Sequence, residues 1–127
     1  LDINCTADNN SVADDPTVWD VYAMANVQAP TGDPEYWFTV FATSDATRNQ
    51  GKYSSEKLDE LEKELSAEFD IEKRAELAVQ MQQTVLDDHA FVFCSFLKMS
   101  MISKANVTGY ESHACDYYQV TADLDIN

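Results

Sequence analysis

Residues 55–88 read SEKLDELEKELSAEFDIEKRAELAVQMQQTVLDD, and their apolar spacing sets the framework of the fold. Leu58, Leu61, Leu65 and Phe69 recur at steps of three and four with Glu and Lys between them, the pattern of an amphipathic helix. Ser55 stands where an N-cap belongs, and Glu56 after it complements the helix dipole. Asp70 opens a second helix that runs to about Asp88, with Ile71, Ala75, Ala78, Met81 and Val85 as its buried stripe. The two helices meet at Phe69-Asp70 as a hairpin or a sharply bent pair. His89, following Asp87 and Asp88, ends the second helix, where partial positive charge suits the dipole.

Upstream, residues 18–24, VWDVYAM, are β-branched and aromatic with little interruption, which predicts a central strand covered on both faces. Pro30, Gly32 and Pro34 then break regular structure; Asp33 is the natural N-cap of a short helix over about 34–43, with Tyr36, Trp37, Val40 and Phe41 available to the interior. The loop 43–54 imitates part of a calcium loop through Asp45, Thr47, Asn49 and Glu56. Gly51, however, falls one position late for the sharp turn such a loop requires. Downstream, the aromatic and Met-rich run 90–104 predicts a long strand, Gly109 a turn, and Tyr117–Val120 a further short strand. Leu1, Ile3 and Cys5 alternate with polar residues as in a half-buried strand. Strands alternating with about three helices give an α/β class with a mixed sheet.

The chain has 127 residues, enough for one domain, and an apolar content of 45%, enough for a modest core. Twenty-three acidic residues against 8 basic ones give a net charge of −15, a field that repels nucleic acid and anionic membrane surfaces. Cys5, Cys94 and Cys115 lack paired metal spacing, and they are expected as small buried thiols.

Catalytic constellations are missing from the sequence. There is no GxSxG elbow, no glycine-rich phosphate loop and no HExxH, and the 3 glycines can hardly build a phosphate cradle. A binding protein without catalysis, and without a resident cofactor, is the expectation.

Taken in order, WDVYAMANVQAPTGDPEYWFTVF, NQGKYSSEKLDELE, DIEKRAELAVQMQQTVLDDHAFVF and NVTGYESHACDYYQVTADL resemble the C-terminal quarter of the nickel, dipeptide and oligopeptide solute-binding proteins (family 5) of ABC importers. The resemblance covers nearly the whole chain and lies in the order and spacing of common motifs. It implies a two-lobed, periplasmic-binding-protein-like type II fold that closes around a solute and delivers it to a membrane permease. Residues 1–100 would belong to the second lobe, and residues 101–127 to the hinge crossing and the return toward the first. The setting it implies is extracytoplasmic: periplasmic, or lipid-anchored on the outer face of the cell membrane. Strand edges left without neighbours would favour self-association of this piece.

On that resemblance the solute is nickel or a chelated-metal complex, with a di- or oligopeptide as the alternative. TGDPEYWF and the HxxDYY-like ending at His113 resemble the nickel branch, and His113 is the candidate metal ligand. The loop 43–53, where that branch places a histidine, has none, and Pro30 stands where peptide binders carry an anchoring Asp, leaving Asp33 as the nearby carboxylate. Asn26 and Gln28, at the end of the expected central strand, are the candidate polar contacts, and Trp37 is a candidate stacking surface.

Overall fold

The computed structural model describes residues 12–96, 100, 102–111 and 120–127. Helix α1, Glu35–Trp37, continues directly into a π-helical turn, Phe38–Ala42; α2 spans Glu56–Ala67 and α3 spans Ile71–Asp87. Strand β1, Val107–Thr108, pairs antiparallel with β2, Asp125–Ile126, in the register Val107 to Ile126 and Thr108 to Asp125.

The helical hairpin forms where the sequence places it, and its caps explain why. The Ser55 hydroxyl accepts the Leu58 N–H at 3.4 Å, and the Asp70 carboxylate accepts the N–H groups of Glu72 and Lys73, both at 3.1 Å. These side chains satisfy donors that the first turn of a helix otherwise leaves unpaired. Between the helices, Glu68 turns its carboxylate onto the N–H groups of Phe69 (2.8 Å) and Asp70 (2.9 Å), which fixes an extended connection over residues 68–70. At the far end of α3, His89 adopts a left-handed conformation (φ 55°), and its Nδ1 lies 2.6 Å from the Asp87 carbonyl.

Three residues assigned to the buried stripes lie outside them. Phe69 is 90% exposed because α2 ends at Ala67, so the helical repeat no longer governs where residue 69 points. Ile71 is 83% exposed, and Ala75 is exposed too. The covered face of α3 instead runs through Arg74, Ala78, Met81 and Val85, while Ile71, Ala75, Val79 and Leu86 form a second apolar ridge on the solvent side. A helix apolar over so wide an arc buries only the part that its one packed neighbour reaches.

The core gathers Leu58, Leu61 and Leu65 from α2 and Met81 and Val85 from α3 under Trp37, Phe38, Phe41 and Ala42. In the π turn, the Thr43 N–H reaches the Phe38 carbonyl at 3.0 Å, and the Thr39 hydroxyl bonds the carbonyls of Glu35 (3.3 Å) and Tyr36 (3.1 Å). The wider turn lets Phe38, Phe41 and Ala42 follow Trp37 into the core.

The loop after it is organised by Asn49, which is buried. Its Nδ2 donates to the carbonyls of Thr43 (3.1 Å) and Tyr53 (2.6 Å), and its Oδ1 accepts the Tyr53 N–H at 2.9 Å. The amide that imitated a calcium ligand is therefore committed to the backbone.

The expected strands at 18–24 and 90–104 do not form among the described residues. Val18 (58%) and Val21 (86%) face solvent, where a central strand would bury them. Among the described residues no strand edge lies beside either segment to pair their N–H and C=O groups, and β propensity alone does not make a sheet. Residues 90–96 instead lay the rings of Phe91 and Phe93 on Trp37, at centroid distances of 5.1 and 5.5 Å. The mixed sheet expected of the α/β class is thus reduced, among the described residues, to one antiparallel pair beside three helices. Cys94 is exposed, contrary to the buried thiol expected there, because the segment carrying it is not covered by a sheet. Gly109, directly after β1, takes φ +76°, but the turn expected there lies before the strand, at residues 105–106; a Cβ on Gly109 would overlap the Asp123 carbonyl. The strands expected at residues 1–5 and 117–120 lie largely or wholly outside the described residues.

Candidate functional site

A cleft of about 280 Å³ opens between the turn before α1, the C-terminal half of α3 and residues 93–96. Gln28, Trp37, Gln82, Leu86, Phe93 and Phe96 wall it, with the buried Phe38 and Val85 also in its lining. No ionisable side chain among the described residues lines it.

The turn is shaped by its own sequence and then locked by α3. The Gly32 N–H bonds the Ala29 carbonyl at 3.0 Å, and Gly32 takes φ +84°, a conformation open to glycine at no steric cost. Asp33 accepts the Glu35 N–H at 2.9 Å from one place ahead of Pro34, which holds the N-cap position of α1 that the sequence assigned to Asp33. The same carboxylate receives Arg74 Nη2 on both oxygens, each at 2.9 Å, and the same nitrogen reaches Glu35 Oε2 at 2.9 Å. Nη1 of the guanidinium donates to the carbonyls of Leu65 (2.6 Å) and Glu68 (2.9 Å) at the end of α2. Hydrogen bonds donated to the Glu35 and then the Asp33 carboxylates hold Arg74 above its ordinary pKa. One side chain thus joins the end of α2, the body of α3 and the turn that carries Gln28. Asp33, bound by Arg74 and by a backbone N–H, is no free anchor for a peptide amino group.

Of the four residues singled out from sequence, Gln28 and Trp37 come together in the cleft. Trp37 serves both packing and cleft: it is 9% exposed, with its ring edge-on to Phe38 and Phe91 and tilted against Phe93. Asn26 is half-buried and outside the lining, because the strand meant to present it is not formed. His113 lies outside the described residues. Among the described residues no group of three or more His, Cys, Asp or Glu is placed to hold a metal ion. No helix among them is long and apolar enough to cross a membrane.

Sequence reasoning missed Gln82, Phe93 and Phe96 as cleft walls and Arg74 as the organiser. Arg74 carried a signal: it sits four residues before Ala78 on the covered face, where a charge demands carboxylate partners, and GDPE supplies them. Phe93 and Phe96 carried none, since their run imitates a strand. No protein-family model matches the chain, and neither does a curated protein or a solved structure.

Proposed function

We propose that the chain is the C-terminal part of an extracytoplasmic solute-binding protein of the ABC-importer type, which holds nickel in a chelated complex and passes it to a membrane permease. The sequence of segments from WDVYAM through to DYYQV, taken in that order, supports this reading, as does the cleft that gathers Gln28 and Trp37. That convergence is the observation that carries the proposal. Within it, residues 1–100 form part of the second lobe of a type II fold, and residues 101–127 cross the hinge toward the first. The strand segments 18–24 and 90–104 then pair through their backbone edges with sheet strands contributed by the rest of the protein, which accounts for the exposure of Val18 and Val21. Such a protein binds by shape and a few polar contacts, and it makes or breaks no bond.

A cleft with no ionisable wall among the described residues favours a metal wrapped in its organic ligand over a bare ion. The same feature supports a short peptide as the second reading, the peptide placing an apolar side chain there. Calorimetric titration of the full-length protein with nickel, with nickel plus free histidine, and with di- and tripeptides tests both. Saturable heat that requires nickel and its chelator together is the expected result. Heat from peptides alone moves the assignment to peptide uptake, and no heat from any of them overturns the transport reading.

A further inference from the structure

We infer that the cleft takes an uncharged planar group, an aromatic ring carrying an amide-like edge, seated against Trp37 and Phe93 with its polar edge at Gln28 and Gln82. This rests on the reading of the cleft as a solute site and names the chemistry of what fills it.

The walls exclude charge. In a chain of net charge −15, no ionisable side chain among the described residues lines this cleft. An ion entering it loses water and gains no counter-ion, a cost that a neutral group avoids. The nearby carboxylates of Asp33 and Glu35 are already turned onto Arg74 at 2.9 Å, so they are not available to pull a cation in.

The walls favour a ring. Phe93 is 50% exposed and tilted against Trp37 at 5.5 Å, and Phe96 is 89% exposed at the cleft's edge. Aromatic surface left open in this way is covered best by another flat apolar group in a tilted or edge-on arrangement. A volume of about 280 Å³ lies at the small end of ligand sites, which fits one substituted ring and not a whole oligopeptide.

The rim demands a polar edge. The side-chain amides of Gln28 and Gln82 make no hydrogen bond among the described residues, and each carries both a donor and an acceptor. An occupant of plain hydrocarbon would strip water from these amides without replacing it, whereas an amide edge pairs with them.

The chemistry has two sources, a free heteroaromatic or aromatic amide and an aromatic residue within a peptide, and the test separates them. With Trp19→Phe, Trp37 becomes the sole tryptophan and its fluorescence reports the cleft. Benzamide and N-acetylphenylalaninamide represent the two sources; toluene, benzoate and benzylammonium lack the edge or carry charge. The expected result is saturable quenching by one or both amides, with toluene weaker by about fivefold or more and each ion by about tenfold or more. Gln28→Leu with Gln82→Leu, both exposed positions, narrows the benzamide-to-toluene ratio to within about twofold. Calorimetry on the unsubstituted chain repeats the ranking without relying on the Trp19 change. Equal binding of benzoate or benzylammonium, or no binding by any neutral ring, overturns the inference. If nickel complexes and peptides all fail to bind the full-length protein while the Gln-dependent preference persists, the transport reading falls and the cleft chemistry stands. If a transported solute binds with an affinity indifferent to the two Gln substitutions, the cleft chemistry falls and transport stands.

Discussion

Replacing Asn49 with alanine removes three hydrogen bonds at once, to the Thr43 carbonyl and to both backbone groups of Tyr53. Asn49 is 7% exposed, so water reaches the abandoned partners poorly. At about 1 kcal/mol net for each bond, the loss comes to about 3 kcal/mol. The loop also sets the start of α2 and places Tyr53 against Phe91 at 6.0 Å, so the damage extends beyond the turn. With a urea slope of about 1–2 kcal/mol/M, the unfolding midpoint falls by about 1.5–3 M and the slope holds constant. Asn49→Asp sharpens the reasoning: it conserves shape and the acceptor for the Tyr53 N–H, but sets a carboxylate oxygen against two carbonyls. It is expected to destabilise at least as much as alanine, and added calcium is expected to restore nothing. Thr47→Ala, an exposed change in the same loop, serves as the control and stays within about 0.5 kcal/mol. An Asn49→Ala midpoint indistinguishable from that control refutes the account of the loop.

Leu65 is fully buried, and Leu65→Ala is expected to cost about 3 kcal/mol in urea unfolding, against less than about 0.5 kcal/mol for Phe69→Ser, whose ring faces solvent. Arg74→Lys keeps the charge but cannot span two carbonyls and two carboxylates; the melting temperature drops and the Gly32 and Glu35 amides exchange faster, while helical circular dichroism is retained. Tyr53 is held above its ordinary pKa of 10.0 by burial and by its 2.5 Å hydrogen bond to Asp88. A raised pKa stabilises the fold while the phenol is protonated, so this contribution is whole below about pH 10 and fades as pH climbs through the folded value. Urea midpoints measured between pH 8 and about 11 fall more steeply for the natural chain than for Tyr53→Phe.

The hairpin was legible because caps and periodicity are local: Ser55 and Asp70 act on N–H groups two and three residues away, and the Leu58, Leu61, Leu65 spacing acts within one helix. Its limits were legible only in part. Phe69 continues the spacing on paper, but Glu68 draws the chain into an extended link first. The strands at 18–24 and 90–104 failed for a non-local reason, since valine and phenylalanine favour a sheet only when a partner edge is present. Gln28 was reached as the end of a strand that does not form, and Trp37 as a stacking aromatic in the helix that follows Asp33. Arg74 escaped because its partners Asp33 and Glu35 lie 41 and 39 residues away, a distance that no local pattern spans.

The wide apolar arc of α3 belongs to the same picture. One face meets α2, and the ridge of Ile71, Val79 and Leu86 remains at 83, 63 and 48% exposure. Leu86 also walls the cleft, so the ridge and the site adjoin.

The proposal that this cleft holds a solute without altering it is tested most directly by a nitrogen-15 correlation spectrum recorded as the nickel–histidine complex, and separately a tripeptide, is added to the protein. The account predicts that the indole N–H of Trp37 and the side-chain amides of Gln28 and Gln82 shift together and saturably, and that the solute is recovered intact. Shifts that bypass all three groups, or a solute converted to product, would contradict it.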